Sequence, residues 1–169
     1  MSLTPVSREI VCNSARIIKI ISGGQTGVDR AALDVANRLG LEHGGFCPKG
    51  RLAEDGVIQG KYNLTELNSS KYSDRTLENV KIAEGSLIIY QGIISGGTQQ
   101  TMKYCQKHNK PVFEINLLEI LKQTQVNFEH WIKENQIAVL NVAGPRESEV
   151  PIYDRAYLLL ITLLSKLKM

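Results

Sequence analysis

Four short apolar runs, each followed by a segment of helical length, constrain this chain most. The runs are residues 16–21, 86–90, 112–115 and 137–142, and they are rich in isoleucine and valine. Short runs of this composition read as strands. The segments 28–39, 73–84, 98–108, 117–135 (in two pieces broken near Thr124) and 151–168 carry apolar residues at helical spacing. Strand and helix in strict alternation call for a parallel sheet with helices on both faces. Right-handed crossovers then bring the loops that follow the strands to one sheet edge, where ligands bind in open α/β folds. The expectation is an α/β, Rossmann-like open parallel sheet in a single domain over residues 16–169, preceded by an arm over residues 1–15.

At 169 residues the chain can bury about 70% of its unfolded surface, enough for one core without staples. A net charge of +3, with no run of lysine or arginine, gives no footprint for nucleic acid. Cys12, Cys47 and Cys105 are widely separated and odd in number, so they signal neither a disulfide framework nor a zinc site. No metal-ligand spacing links His43, His108 and His130. The most apolar run, residues 157–164, is too short to cross a bilayer, and no signal-peptide pattern opens the chain. These features predict a cytoplasmic protein that engages neither membrane nor nucleic acid.

Two turns share a plan. In IISGGQTGVD (residues 20–29) and IISGGTQQTM (residues 93–102), Ser-Gly-Gly and a threonine stand between a strand and a helix. The repeated Ile-Ile is accidental, because the first pair ends a strand and the second lies in a loop. Glycine lets backbone approach a ligand, and a helix N-terminus offers free N–H groups and partial positive charge. Together they suit phosphate or another oxyanion. Neither turn is G-x-G-x-x-G, and no P-loop is present. The candidate ligand-binding residues here are Ser22, Gly23, Gly24, Gln25, Thr26, Gly27 and Asp29 in the first turn, and Gly96, Gly97 and Thr98 in the second.

Residues 44–73 form a long irregular segment containing PKGRLAEDG, and such a segment in a compact domain points to function. Lys49, Arg51, Arg75 and Arg146 are candidate anion-binding residues. Glu54 and Asp55 are candidate acid/base catalysts, and their bland reading is a solvated loop.

In this order, SGGQTGVDRAALD, PKGRLAEDG, YSDRTLENV, SGGT and LNVAGPRES resemble the putative molybdenum carrier family. That family is a circularly permuted branch of the Rossmann-like SLOG superfamily. The resemblance implies a site for a nucleotide or nucleotide-derived ligand, with the family's Gly-rich turn on Gly23, Gly24, Gln25, Thr26, Gly27 and Asp29, and its second on Gly96, Gly97 and Thr98. The family name implies molybdenum or its pterin cofactor as cargo. This chain departs from the family after AGPRES, where Val150-Pro151 replaces a Pro-Gly pair. Three functions stay open: a binder or carrier of a phosphate-bearing small molecule, a nucleotide N-glycosidic-bond hydrolase, and a non-catalytic interaction module. Related hydrolases carry a glutamate after the second turn, where this chain has Gln99 and Gln100.

Three expectations follow. Valine at Gly24 or Gly97 abolishes ligand binding more than it harms folding. Arg51, Arg75 and Arg146 converge on one anion, so alanine at each weakens binding. The last helix, apolar nearly all round, forms a homodimer contact that Leu160→Glu breaks; the competing reading is burial against residues 117–135.

Overall fold

The computed structural model describes residues 16–167, so the arm expected over residues 1–15 lies outside the described residues. Strand β1 (Lys19–Ile21) leads into helix α1 (Val28–Leu39), and β2 (Glu42–Gly44) follows. A loop region then holds four two-residue strands, β3 (Phe46–Cys47), β4 (Leu52–Ala53), β5 (Gly56–Val57) and β6 (Thr65–Glu66). The remainder alternates: α2 (Tyr72–Ile82), β7 (Gly85–Tyr90), α3 (Gly96–Lys107), β8 (Val112–Asn116), α4 (Thr124–Glu134), β9 (Val139–Ala143) and α5 (Tyr153–Ser165).

Five strands form the central sheet in the order β2-β1-β9-β7-β8, all parallel. The period-2 alternation of side chains sorts its faces. Ile20, Leu87, Ile89, Leu140 and Val142 point into the main core with Val28, Ala32 and Val35 of α1, Phe128 and Ile132 of α4, and Leu160 and Leu164 of α5. On the other face Asn141 donates to Ser86 Oγ (3.0 Å), which also accepts from the Cys105 thiol of α3 (3.3 Å). Helix α2 packs beside α3 there. The fold is α/β and Rossmann-like, as the alternation predicts.

Helix α1 stops at Gly40, which takes the left-handed conformation (φ 67°) as expected. Other boundaries differ from the sequence reading. Strand β2 was not foreseen, because Glu-His-Gly carries no apolar pattern; its backbone ladder to β1 holds it at the sheet edge. Residues 117–123 are turns rather than helix, with Asn116 Oδ1 accepting from the amides of Gly92 (3.1 Å) and Leu118 (3.2 Å). Helix α3 begins at Gly96, two residues before the expected start, and Gly96 itself has φ +53°, a left-handed value that favours glycine.

Helix α5 packs against α1 and α4, which covers most of its apolar circumference. Leu160 is fully buried, whereas Leu158 and Thr162 face outward. Leu160→Glu therefore inserts a charge into the core, and a subunit contact through Leu160 is not available. Leu160→Ala is expected to lower unfolding stability by about 2–5 kcal/mol, read from urea melts, through lost burial and the cavity left behind.

Candidate functional site

Strand β9 sits between β1 and β7, whose chains lead to opposite sides of the sheet. This is a topological switch point, where the loops after neighbouring strands diverge and leave a crevice. The crevice holds about 490 Å³ of empty space, its open mouth included. Gly23 and Gln25 after β1, Asn141 to Gly144 at the end of β9, and Gly97 and Thr98 of α3 line it. Arg75, Arg146 and Glu149 stand at its walls.

The two glycine turns behave differently. In the first, several donors are already engaged. Ser22 Oγ donates to the Asp29 carbonyl (3.1 Å), Gln25 N to the Asp29 carboxylate (3.4 Å), Thr26 N to Gln25 Oε1 (3.0 Å), and Val28 N to the Pro145 carbonyl (3.4 Å). Asp29 is thus an internal anion set against this turn. Gly24 has φ +73°, and a Cβ there would lie 2.5 Å from Leu64 and 3.1 Å from Ile58, in a small core beneath the long loop. A Cβ on Gly27 (φ +74°) would lie 2.5 Å from the Pro145 carbonyl. These two glycines serve packing and backbone conformation.

The second turn is open. Ser95 makes no side-chain cap, and the first N–H groups of α3 lack intrahelical acceptors. A Cβ on Gly97 would meet no atom within 4 Å. Thr98 is buried (3% exposed), and its hydroxyl has no partner. Across the crevice, Gln25 is 5% exposed, with Oε1 accepting from the amides of Thr26 and Glu54 (2.9 Å) and Nε2 left without a partner. The Nε of Arg75 is unpartnered as well. Buried polar groups are normally paired, so three such groups around one crevice single it out as the candidate site.

Arg75 Nη1 pairs with Asp29 at 2.7 Å, and the guanidinium lies where a Cβ on Gly23 would stand. Glycine at position 23 therefore admits Arg75 into the crevice. Arg146 Nε meets Glu149 (3.2 Å) and Glu54 (3.9 Å). Both guanidinium carbons lie near the Tyr72 ring, at 5.8 Å for Arg75 and 5.6 Å for Arg146, so one aromatic ring steadies two cations.

Arg51 does not join them. Its guanidinium donates to the carbonyls of Ile58, Gln59, Tyr62 and Leu64 at 2.9–3.1 Å and organises the long loop from inside. Lys49 is exposed on a short 3-10 turn outside the crevice. Glu54 and Asp55 form the turn of the β4–β5 hairpin, which accounts for their adjacency. Asp55 pairs with Arg30 (3.1 Å). The Glu54 carboxylate accepts from the hydroxyls of Thr26 and Ser148 and from Ser148 N (3.1 Å), clasping the first turn, the hairpin and the β9–α5 loop together. Partial burial pushes its carboxyl upward, but donation from Ser148 and Thr26 and the nearby Arg146 outweigh this and hold it below the ordinary glutamate range. A carboxyl so held is suited to accepting hydrogen bonds, not to general-acid work at neutral pH.

Sequence reasoning missed Thr76, Asn79, Thr101, Asn141 and Glu149 as lining residues. The signal for Asn141 is a polar residue inside an apolar strand. Glu149 was legible only as an ion-pair partner for Arg146. Tyr62 and Tyr153, which both donate to Asp34 (2.8 and 2.7 Å) and tie the long loop and α5 to α1, carried no motif. Among the described residues no cluster of three or more His, Cys, Asp or Glu side chains could hold a metal ion.

The glycine expectation now splits. Gly24→Val is expected to destabilise the fold outright, by more than 2 kcal/mol in urea melts, through steric overlap and positive φ. Gly97→Ala is expected to leave the melting temperature within a few degrees, because its methyl enters open space. Glu54→Gln is expected to cost about 1–2 kcal/mol near neutral pH. The Glu54 carboxyl titrates lower folded than unfolded, so its contribution is present above the unfolded value and is lost as pH falls through the folded one. The gap between wild type and Glu54→Gln in urea melts should therefore close in acid.

The sequence profile of the circularly permutated YpsA SLOG family matches residues 20–164. No curated protein matches the chain. The crystal structure of Putative molybdenum carrier protein from Syntrophus aciditrophicus SB superposes with a TM-score of 0.86 at 43% sequence identity, covering 89% of this chain and 96% of that one. The family match takes in both glycine turns, β9 and nearly all of α5. The chain belongs to the circularly permuted YpsA branch of the SLOG family.

Proposed function

We propose that this protein binds a phosphate-bearing nucleotide or nucleotide-derived small molecule in the crevice and carries it as cargo. One observation carries the reading: the unpartnered groups of Gln25, Arg75 and Thr98 face the same crevice. Two are N–H donors and the third is a hydroxyl that can donate, and beside them stands the open N-terminus of α3. That set matches an oxygen-rich anion. Arg75 and Arg146 add charge-assisted donors for it. Carriage of a molybdenum cofactor, a pterin bearing a phosphate, fits within this reading, and the name of the similar Syntrophus aciditrophicus protein gives molybdenum as that protein's cargo. The hydrolase reading draws no support from Glu54 and Asp55, whose carboxylates are engaged in the clasp and with Arg30.

A thermal-shift series with nucleoside monophosphates, phosphorylated pterins and molybdate tests this. At a hundredfold excess over Kd, ligand binding adds about 2.7 kcal/mol. For a chain of this size that raises Tm by about 5–10 °C. The expected result is a rise with at least one phosphate-bearing compound that is absent from its dephosphorylated form and diminished in Gly97→Ala. A rise with molybdate alone would favour carriage of the bare oxyanion, and no rise with any compound would count against the site. Arg75→Ala is a poor probe here, since it strands the buried Asp29 carboxylate and costs about 3–5 kcal/mol of stability.

A further inference from the structure

The charged residues that line the crevice are Asp29, Arg75, Arg146 and Glu149. With the acids ionised, two positive and two negative charges cancel. An incoming anion therefore gains little net attraction unless one carboxylate leaves. The two carboxylates are not equivalent. Asp29 is 7% exposed, pairs with Arg75 at 2.7 Å and also accepts from the Gln25 amide, so it is fixed. Glu149 has a side chain 39% exposed, and its carboxylate pairs with Arg146 at 3.2 Å. Its position is telling. The carboxylate oxygens lie 3.6 and 4.0 Å from where a Cβ on Gly96 would stand, over the first residue of α3. Anionic groups are favoured at that helix end.

We infer that Glu149 is a built-in competitor. Its carboxylate pairs with Arg146 beside the α3 N-terminus in the free protein, and a phosphate-type anion binds by exchanging with it. This rests on the anion-binding reading above and adds the residue that tunes it. The unpartnered Thr98 hydroxyl and Gln25 amide, both more than nine-tenths buried, mark where the incoming anion settles. The displaced side chain has somewhere to go. Glu149 and Thr98 also line a neighbouring hollow beside Tyr90, Pro145 and Val150. The Glu149 backbone need not move, because its amide is held by the Arg146 carbonyl (3.1 Å) in a loop turn. Once Glu149 swings away, Arg146 keeps only its longer contact with Glu54 (3.9 Å) and stays with Arg75 beside the Tyr72 ring, and the crevice lining carries net positive charge toward the ligand.

Calorimetric titration of inorganic phosphate and of adenosine 5′-monophosphate into wild type, Glu149→Gln and Glu149→Asp, at low salt, tests the exchange. Glutamine removes the competing charge. Aspartate keeps the charge but is one methylene shorter and draws back from Arg146 and the helix end. Both variants are expected to bind both probes more tightly, by about fivefold, the scale of a partly exposed ion pair. Wild-type affinity in Glu149→Asp would overturn the exchange and leave only a diffuse field effect. Weaker binding of the nucleotide in Glu149→Gln, with phosphate unchanged, would also overturn it, making Glu149 a contact for the sugar. Absence of binding by all three proteins would overturn the exchange together with the anion-binding reading, whereas wild-type binding that Glu149→Gln leaves unchanged would overturn the exchange alone.

Discussion

The buried pair of Asp29 and Arg75 holds the crevice in shape. Asp29 comes from the first turn of α1 and Arg75 from the first turn of α2, so one contact ties the Gly-rich turn to the element that roofs it. Its consequences reach back into the sequence. Gly23 has no side chain because Arg75 lies across it. Gln25 turns its carbonyl toward its own loop, where the amides of Thr26 and Glu54 donate to it, and this leaves its amide nitrogen facing the crevice. A buried ion pair is weak evidence for stability taken alone, since desolvation offsets much of its attraction. Here its role is geometric: it holds an arginine with one unpartnered N–H beside an open helix end.

The twin Ser-Gly-Gly turns show how one local motif can serve two tasks. The first carries its own anion, so it builds the crevice wall. The second lacks an acid in its first helical turn and leaves its N-terminus free. The long loop serves the wall from behind. Arg51 gathers its carbonyls, Glu54 clasps it to Thr26 and Ser148, and Tyr62 anchors it to Asp34. A segment that reads as an irregular excursion is thus a set of short ladders closed by side-chain bonds.

Much of the fold was legible because its signals are local. Periodicity marked four of the five sheet strands and the helices, and Gly40 marked a helix end. Strand β2 escaped because an edge strand held by backbone pairing needs no apolar pattern. Residues 117–123 misled because Leu118, Ile120 and Leu121 mimic a helical stripe while standing exposed. Of the site, Gly23, Gln25, Asp29, Arg75, Gly97, Thr98 and Arg146 line the crevice, and motif reasoning reached all of them. It could not separate them from Arg51 or Gly24, which differ only in which way the side chain or Cβ vector points. Burial of α5 between α1 and α4 was likewise a tertiary fact that one helix's composition could not distinguish from a subunit contact.

The central claim is the asymmetry between the two glycine turns. Amide chemical shifts of the ¹⁵N-labelled protein during titration with inorganic phosphate test it directly. The account predicts that the backbone amides of Gly97 and Thr98 and the side-chain amide of Gln25 move with a common saturation curve, while those of Thr26 and Val28 stay in place. Movement of the Thr26 and Val28 amides, with Gly97 and Thr98 unmoved, would contradict it.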